Sequence, residues 1–299
     1  MRRTVPALIV LAAVAGAALA GCSTSSQASA DCKVPSGTAS DSVRVSGAFG
    51  DAPQATVPSP LNAAHTQATT VIAGKGPRVS AGGAARLAVT IYDGQTGQQS
   101  QQTQSGYLPV DPSQISKGLA HALECANEGS RIAVVIPQSD GGDMFGGQGS
   151  AVVIVDVEQA LPNRATGRVR PATPGFPTVV LAPNGQPGIV IGAHQEPTKV
   201  SSAVLKQGDG KKVTEKDTLI VQTQTVTWSD PTTATGSWEQ SAPGTQTLSD
   251  KSAISSQLIG KTVGSQVIVL VPKAKAEDGQ SAATVVDILG VIPASASAQ

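Results

Sequence analysis

The sequence repeats itself at the length of a whole domain, and that repeat limits what the chain can fold into more than any other feature. Gly74 and Gly76, after the short apolar stretch Val71-Ile72, fall on Gly208 and Gly210 after Val204-Leu205. Val79 falls on Val213, Gly129 on Gly264 and Pro137 on Pro272, all at nearly one offset. The unit is too long for a solenoid repeat, so each copy is a domain in its own right.

Each copy carries the same signals. Val71-Ile72 and Val204-Leu205 are short strands that end in a Gly-x-Gly turn. Residues 86–92 and 218–226 alternate as β-strands, and 131–136, 266–271, 151–157 and 282–289 are further strands. Between them, residues 112–125 place Ile115, Leu119, Ala122 and Leu123 at helical spacing, with residues 254–259 as a shorter counterpart. The pattern predicts an α+β fold: two tandem domains, each an antiparallel sheet with one short helix across it. The first domain spans residues 31–162, with extra strands at 42–45 and 54–57. A Pro/Gly-rich linker, 163–197, packs on the second domain through Phe176, Val179, Val180 and Leu181. The second domain spans 198–293.

The ends have another character. Arg2 and Arg3 precede an apolar stretch, residues 5–20, which is short for a membrane span of roughly 20 residues. The stretch closes on Leu19-Ala20-Gly21-Cys22, which resembles the bacterial lipobox. Residues 1–21 are expected to be a lipoprotein signal peptide, cut before Cys22, whose thiol carries lipid. Several acyl chains would hold the protein lastingly on the extracytoplasmic face of the cell membrane. Residues 22–30 form a flexible tether and 294–299 a disordered tail. Cys32 and Cys125 remain, an even pair in an oxidising compartment. A bridge between them would contribute about 4–5 kcal/mol through loop entropy; two free thiols are the other reading.

Lys and Arg number 21, as do Asp and Glu, and the net charge is zero, which argues against nucleic acid as a partner. His65, His121 and His194 are far apart and none has a cysteine at ligand spacing, so no metal or other cofactor is expected.

The second copy carries a family likeness. Lys206-Gln207-Gly208-Asp209-Gly210, Gly236-Ser237-Trp238, residues 258–272 and residues 283–289 together resemble the FKBP family of peptidyl-prolyl cis-trans isomerases, and the pair of copies on a lipid anchor resembles an actinobacterial lipoprotein with two such domains. The first copy resembles it less, with Cys125 where the second has Gly260. The resemblance implies an isomerase that assists folding of exported proteins, with proline-containing unfolded polypeptides as partners and no cofactor. Its site would be an apolar hollow for the proline ring, and here that hollow departs from the family. Val89 and Thr223 stand at the tyrosine position, although a shifted register would offer Tyr92. Leu119 and Ile254 replace the tryptophan floor, and each is also an ordinary core residue. The Phe-Asp pair maps near Ala234 and Thr235. Phe145 is the candidate for the loop aromatic in the first copy, where the second has Glu277 or Asp278, and Trp238 lines a hollow or covers an edge. The candidate site residues are therefore Ile254, Trp238, Thr223, Leu119, Tyr92 and Phe145. The loss of aromatics leaves a second reading, an FKBP-fold chaperone or binding module without catalysis, and a third, a structural or solute-binding lipoprotein.

Overall fold

A computed structural model of the chain describes residues 34–292 except 148 and 241. The signal segment, Cys22, the tether, Cys32 and the tail lie outside the described residues.

The elements follow in the order α1 (Thr38–Ser42), β1 (Arg44–Ser46), β2 (Gln54–Thr56), β3 (Gln67–Ile72), β4 (Ala84–Asp93), β5 (Gln99–Pro109), α2 (Lys117–Glu124), β6 (Arg131–Ile136) and β7 (Ala151–Leu161). Then come β8 (Arg168–Val169), β9 (Thr178–Leu181), β10 (Pro187–Val190), β11 (Ser201–Gln207), β12 (Thr218–Thr227), β13 (Gly244–Thr247), α3 (Ala253–Leu258), β14 (Gln266–Val271) and β15 (Ala282–Ile292). One sheet has the order β3-β6-β7-β4-β5 and the other β8-β11-β14-β15-β12-β13. With β8 set aside the two orders are the same, every pairing is antiparallel, and a helix joins the outer strand β5 or β13 to the inner strand β6 or β14.

The repeated glycines have a common reason. Gly74 and Gly208 leave the first strand against the turn before β6 or β14, where a Cβ would lie 2.3 Å from the Glu128 carbonyl oxygen or 2.1 Å from that of Val263. Only glycine allows that approach. The locks then match bond for bond: Gly74 N–H donates to Ser130 Oγ and Gly208 N–H to Ser265 Oγ, both at 3.0 Å. Gly129 and Gly264 take φ of +87° and donate to the Val157 and Ile288 carbonyls at 2.8 and 2.7 Å.

β6 and β14 are buried at all six positions. A sheet with one wet face would alternate, so both faces must be covered. On one face of the first sheet, Leu119, Ala122 and Leu123 of α2 pack on Leu87, Val134 and Val155. On the other, Ala39, Val43 and Val57 pack on Val135, Val152 and Ile154. The second sheet has α3 (Leu258) on one face and the β9–β10 hairpin on the other, where Phe176, Val179 and Ile189 meet Ile268 and Val285. The expected linker is thus the cover of the second sheet, equivalent to residues 34–66 over the first. Of its four expected anchors Phe176 and Val179 pack down, whereas Val180 and Leu181 face outward, 58% and 39% exposed.

Each cover is latched to a buried aspartate on the last strand. Asp156 accepts Gly50 N–H at 2.8 Å and faces Arg131 in a two-pronged pair of 2.6 and 2.7 Å. Asp287 accepts Ala165 N–H at 2.8 Å and Gln266 Nε2–H at 2.7 Å. Burial pushes the Asp287 carboxyl above its usual range, against the pull of these bonds.

Where the sequence predicts two domains, all described residues fall in one compact unit. Ala84 and Leu161 of the first sheet share a small core with Ile220 and Leu289 of the second, which ties the halves together. The helix expected over residues 112–125, α2, starts at Lys117, because Asp111 holds residues 112–115 in a turn: its carbonyl accepts Gln114 and Ile115 N–H and its carboxylate accepts Ser113 N–H. Cys125, at the C-cap of α2, is disulfide-bonded; Cys22 and Cys32 are the chain's other two cysteines.

Candidate functional site

The hollow lies in the first half, between α2 and the strands β4 and β5, with a volume of about 300 Å³. That is at the small end of ligand-sized pockets. Leu87, Val89 and Ile91 form its floor; they alternate along β4 and so share one side of the sheet. Ile115, Leu119 and Leu108 close the apolar walls, and Gln101, Gln104 and Gln114 bring side-chain amides to the lining, while the hydroxyl of Ser105 donates to Glu158 at 3.1 Å. None of the lining residues is charged.

Local chemistry sets each wall. Ser116 caps α2, its Oγ accepting Leu119 N–H at 3.2 Å, which starts the helix where Leu119 can turn inward. Gly118 lets the helix settle on the sheet: a Cβ there would lie 2.3 Å from Thr66 Oγ1. The Asp111 turn delivers Ile115. The mouth is formed by residues 142–145, a single 3₁₀ turn between Gly141 (φ +90°) and Gly146 (φ +79°). Its base is held by Asp140, whose Oδ2 accepts both N–H and Oγ1–H of Thr66, at 3.0 and 2.8 Å. The Thr66 hydroxyl, chiefly, holds the Asp140 carboxyl below its usual range. At the tip Phe145 packs toward the core and Met144 stands 63% exposed.

Of the six candidate site residues, Leu119 and Phe145 both line this hollow. Leu119 is both wall and core, since it also belongs to the cluster under α2. Tyr92 is a correction. It lies in the cluster on the opposite face of the sheet, and its hydroxyl meets Ala55 N–H and the Pro53 carbonyl at 3.2 and 3.4 Å. β4 keeps an unbroken ladder with β7 from Leu87 to Asp93, so its alternation turns Tyr92 away and leaves Val89 on the floor; the register shifts beside it add residues to β5.

The other three candidates lie in the second half. Thr223 takes the place of Val89, because Val221 pairs with Ile288 as Leu87 pairs with Val157. Its N–H donates to Ser237 Oγ at 2.8 Å, and its carbonyl accepts Trp238 N–H at 3.3 Å. The Gly236-Ser237-Trp238 segment is thus folded onto β12 itself. Gly236 is required there, as a Cβ would lie 2.3 Å from the Thr223 carbonyl oxygen. Ile254 packs against the core cluster under α3. Where the first half has three aliphatic floor residues, the second has Val221, Thr223 and Thr225, and the Thr225 hydroxyl is shared with Thr284 at 2.9 Å.

The sequence reading did not assign Leu87, Ile91, Leu108, Gln101, Gln104, Gln114 or Met144 to the site. Alternation on β4 was the available signal for Leu87 and Ile91; β5, with the sequence Gln-Ser-Gln-Gln-Thr-Gln-Ser-Gly, has no apolar period to read. Among the described residues no group of three or more His, Cys, Asp or Glu side chains is placed to hold a metal ion.

No family model matches the chain, and no curated protein matches it. Solved structures do. The three FKBP domains of wheat FKBP73 are similar over 76% of this chain and 94% of that one, at 10% identity and a TM-score of 0.33. A peptidyl-prolyl cis-trans isomerase of Pseudomonas syringae is similar over 31% of this chain and 74% of its own, at 20% identity and a TM-score of 0.28. FkpA of Escherichia coli is similar over 39% and 52%, at 18% identity and a TM-score of 0.28.

Proposed function

We propose that the chain is an FKBP-type peptidyl-prolyl cis-trans isomerase that works on exported polypeptides from a lipid anchor at Cys22, on the outer face of the cell membrane. The observation that carries this reading is the uncharged hollow under α2, with an aliphatic floor and an amide rim. Rotation about a peptide bond is opposed by roughly 18–20 kcal/mol, because the planar amide is stabilised by charge separation between nitrogen and oxygen. Water favours that polar, planar form. An apolar floor that strips water from the ring side of a proline weakens this preference, and no nucleophile is needed. The side-chain amides of Gln101, Gln104 and Gln114 on the rim can donate to a twisted carbonyl. Each 1.36 kcal/mol by which the site favours the twisted amide over the planar one gives a tenfold rate.

Val89 and Leu119 stand where the resemblance implies a tyrosine and a tryptophan. That departure supports a second reading, a binding module or chaperone that holds proline segments without turning them over. In the same proposal, Cys125 is bonded to Cys32, which ties the end of α2 to the start of the first domain.

Exchange spectroscopy on capped proline tetrapeptides, with the full chain, separates the readings. Isomerisation faster than the free peptide, at several residues before proline, is the expected result. Binding without acceleration would replace catalysis with the holding role.

A further inference from the structure

β5 is the outer strand of the first sheet, and among the described residues it pairs with β4 alone. Over residues 99–106 it has no charged residue and no proline, and every position except Thr103 is exposed. Such an edge presents a row of N–H and C=O groups ready to pair with another strand, and proteins usually blunt it with lysine, proline or a short strand. Here the strand is 11 residues long. Its register shifts opposite Val89–Tyr92, and residues 104–109 keep an unbroken ladder with residues 84–89.

The repeat supplies an internal comparison. At the same place in the second sheet β13 has four residues, and the Ser237 segment folds back onto Thr223. The long free edge therefore belongs to the first half and is not a requirement of the sheet. Edge and hollow are continuous, since Gln104, Gly106 and Leu108 line the hollow from this strand. A Cβ at Gly106 would meet nothing within 4 Å, so the strand is open there as well.

We propose that the outer edge of β5 docks an extended, uncharged polypeptide as a sixth strand of the first sheet, with a proline of that polypeptide in the hollow. The place of the proline rests on the isomerase reading; the docking rests on β5. A proline has no N–H to give, so its neighbours in the added strand carry the ladder. Pairing through the backbone tolerates many sequences, and its substrate class is the unfolded segment, because folded chains have already paired their strands.

The test compares two uncharged peptides with the full chain: a capped tetrapeptide with one proline, and a decapeptide with the same four residues at its centre. The decapeptide should bind at least about tenfold more tightly, and N-methylation of alternate residues outside the core should each weaken it about fivefold, the effect of one lost backbone hydrogen bond. The amides of residues 99–106 that point away from β4 should also become protected from hydrogen exchange. Equal binding of the two peptides, or N-methyl effects without a two-residue period, would overturn the docking edge, and tetrapeptide turnover in the same sample would show the hollow reading intact. Periodic N-methyl effects with no turnover would keep the edge and remove the isomerase.

Discussion

Val89 and Tyr92 are three residues apart on one strand and face opposite sides of it, so their substitutions should separate site from scaffold. Val89→Asp places a carboxylate on the floor of the hollow, where water must be excluded, and should abolish proline turnover while circular dichroism shows the fold retained. Tyr92→Phe should leave turnover unchanged and cost about 1 kcal/mol in urea unfolding, the worth of a hydroxyl bonded to Ala55 and Pro53. The reverse pattern would put the site on the other face of the sheet. Two aspartates respond to pH in opposite senses. The carboxyl of Asp287 is raised by burial, so the folded chain holds its proton more tightly than the unfolded one. Its stabilising contribution is complete below the ordinary carboxylate pKa and lost as pH rises through the raised value. Asp140 is lowered by Thr66, so its contribution exists above the ordinary range and is lost as pH falls through the lowered value. Urea unfolding measured across the window just above the ordinary range should show stability rising with mild acid, and Asp287→Asn should flatten that rise.

At the scale of elements, the strand-exit glycines are locks, and they can be tested against a glycine that is not one. Gly208→Ala drives a methyl into the Val263 carbonyl and should cost about 3 kcal/mol or more. Gly244→Ala, on β13, meets nothing within 4 Å and should change stability by less than about 1 kcal/mol. Equal losses at the two would remove the lock. These glycines, with the buried strands, are what made the fold legible: their spacing is fixed by contacts between backbones, and it survives in both copies. The hollow was only half legible. Leu119 and Phe145 lie at fixed offsets from the same glycines and both line the hollow, whereas Tyr92 enters it only in a shifted register that the regular pairing of β4 with β7 does not have. β5 and β13 went unread since polar edge strands need no apolar alternation. The likeness to the family is stronger in the second copy, yet the cavity described here lies in the first: the signature belongs to turns and core, and the floor of a hollow can change without disturbing either.

Across the whole molecule, the two halves meet through Ala84, Leu161, Ile220 and Leu289. Leu161→Ala should cost about 2–4 kcal/mol and split a single calorimetric transition into two, as each half then melts on its own core. A single transition, merely shifted, would mean that the halves are coupled elsewhere. In both halves the cover comes first in the chain and its latch comes last: Gly50 waits for Asp156, 106 residues later, and Ala165 for Asp287, 122 residues later. Contacts so distant in sequence are slow to form. A ribosome releases the cover of each sheet well before the strand that fastens it, so neither half can close until its own last strand, β7 or β15, has emerged. A protein proposed to help others through slow folding is built so that each of its own halves must wait for the last strand of that half.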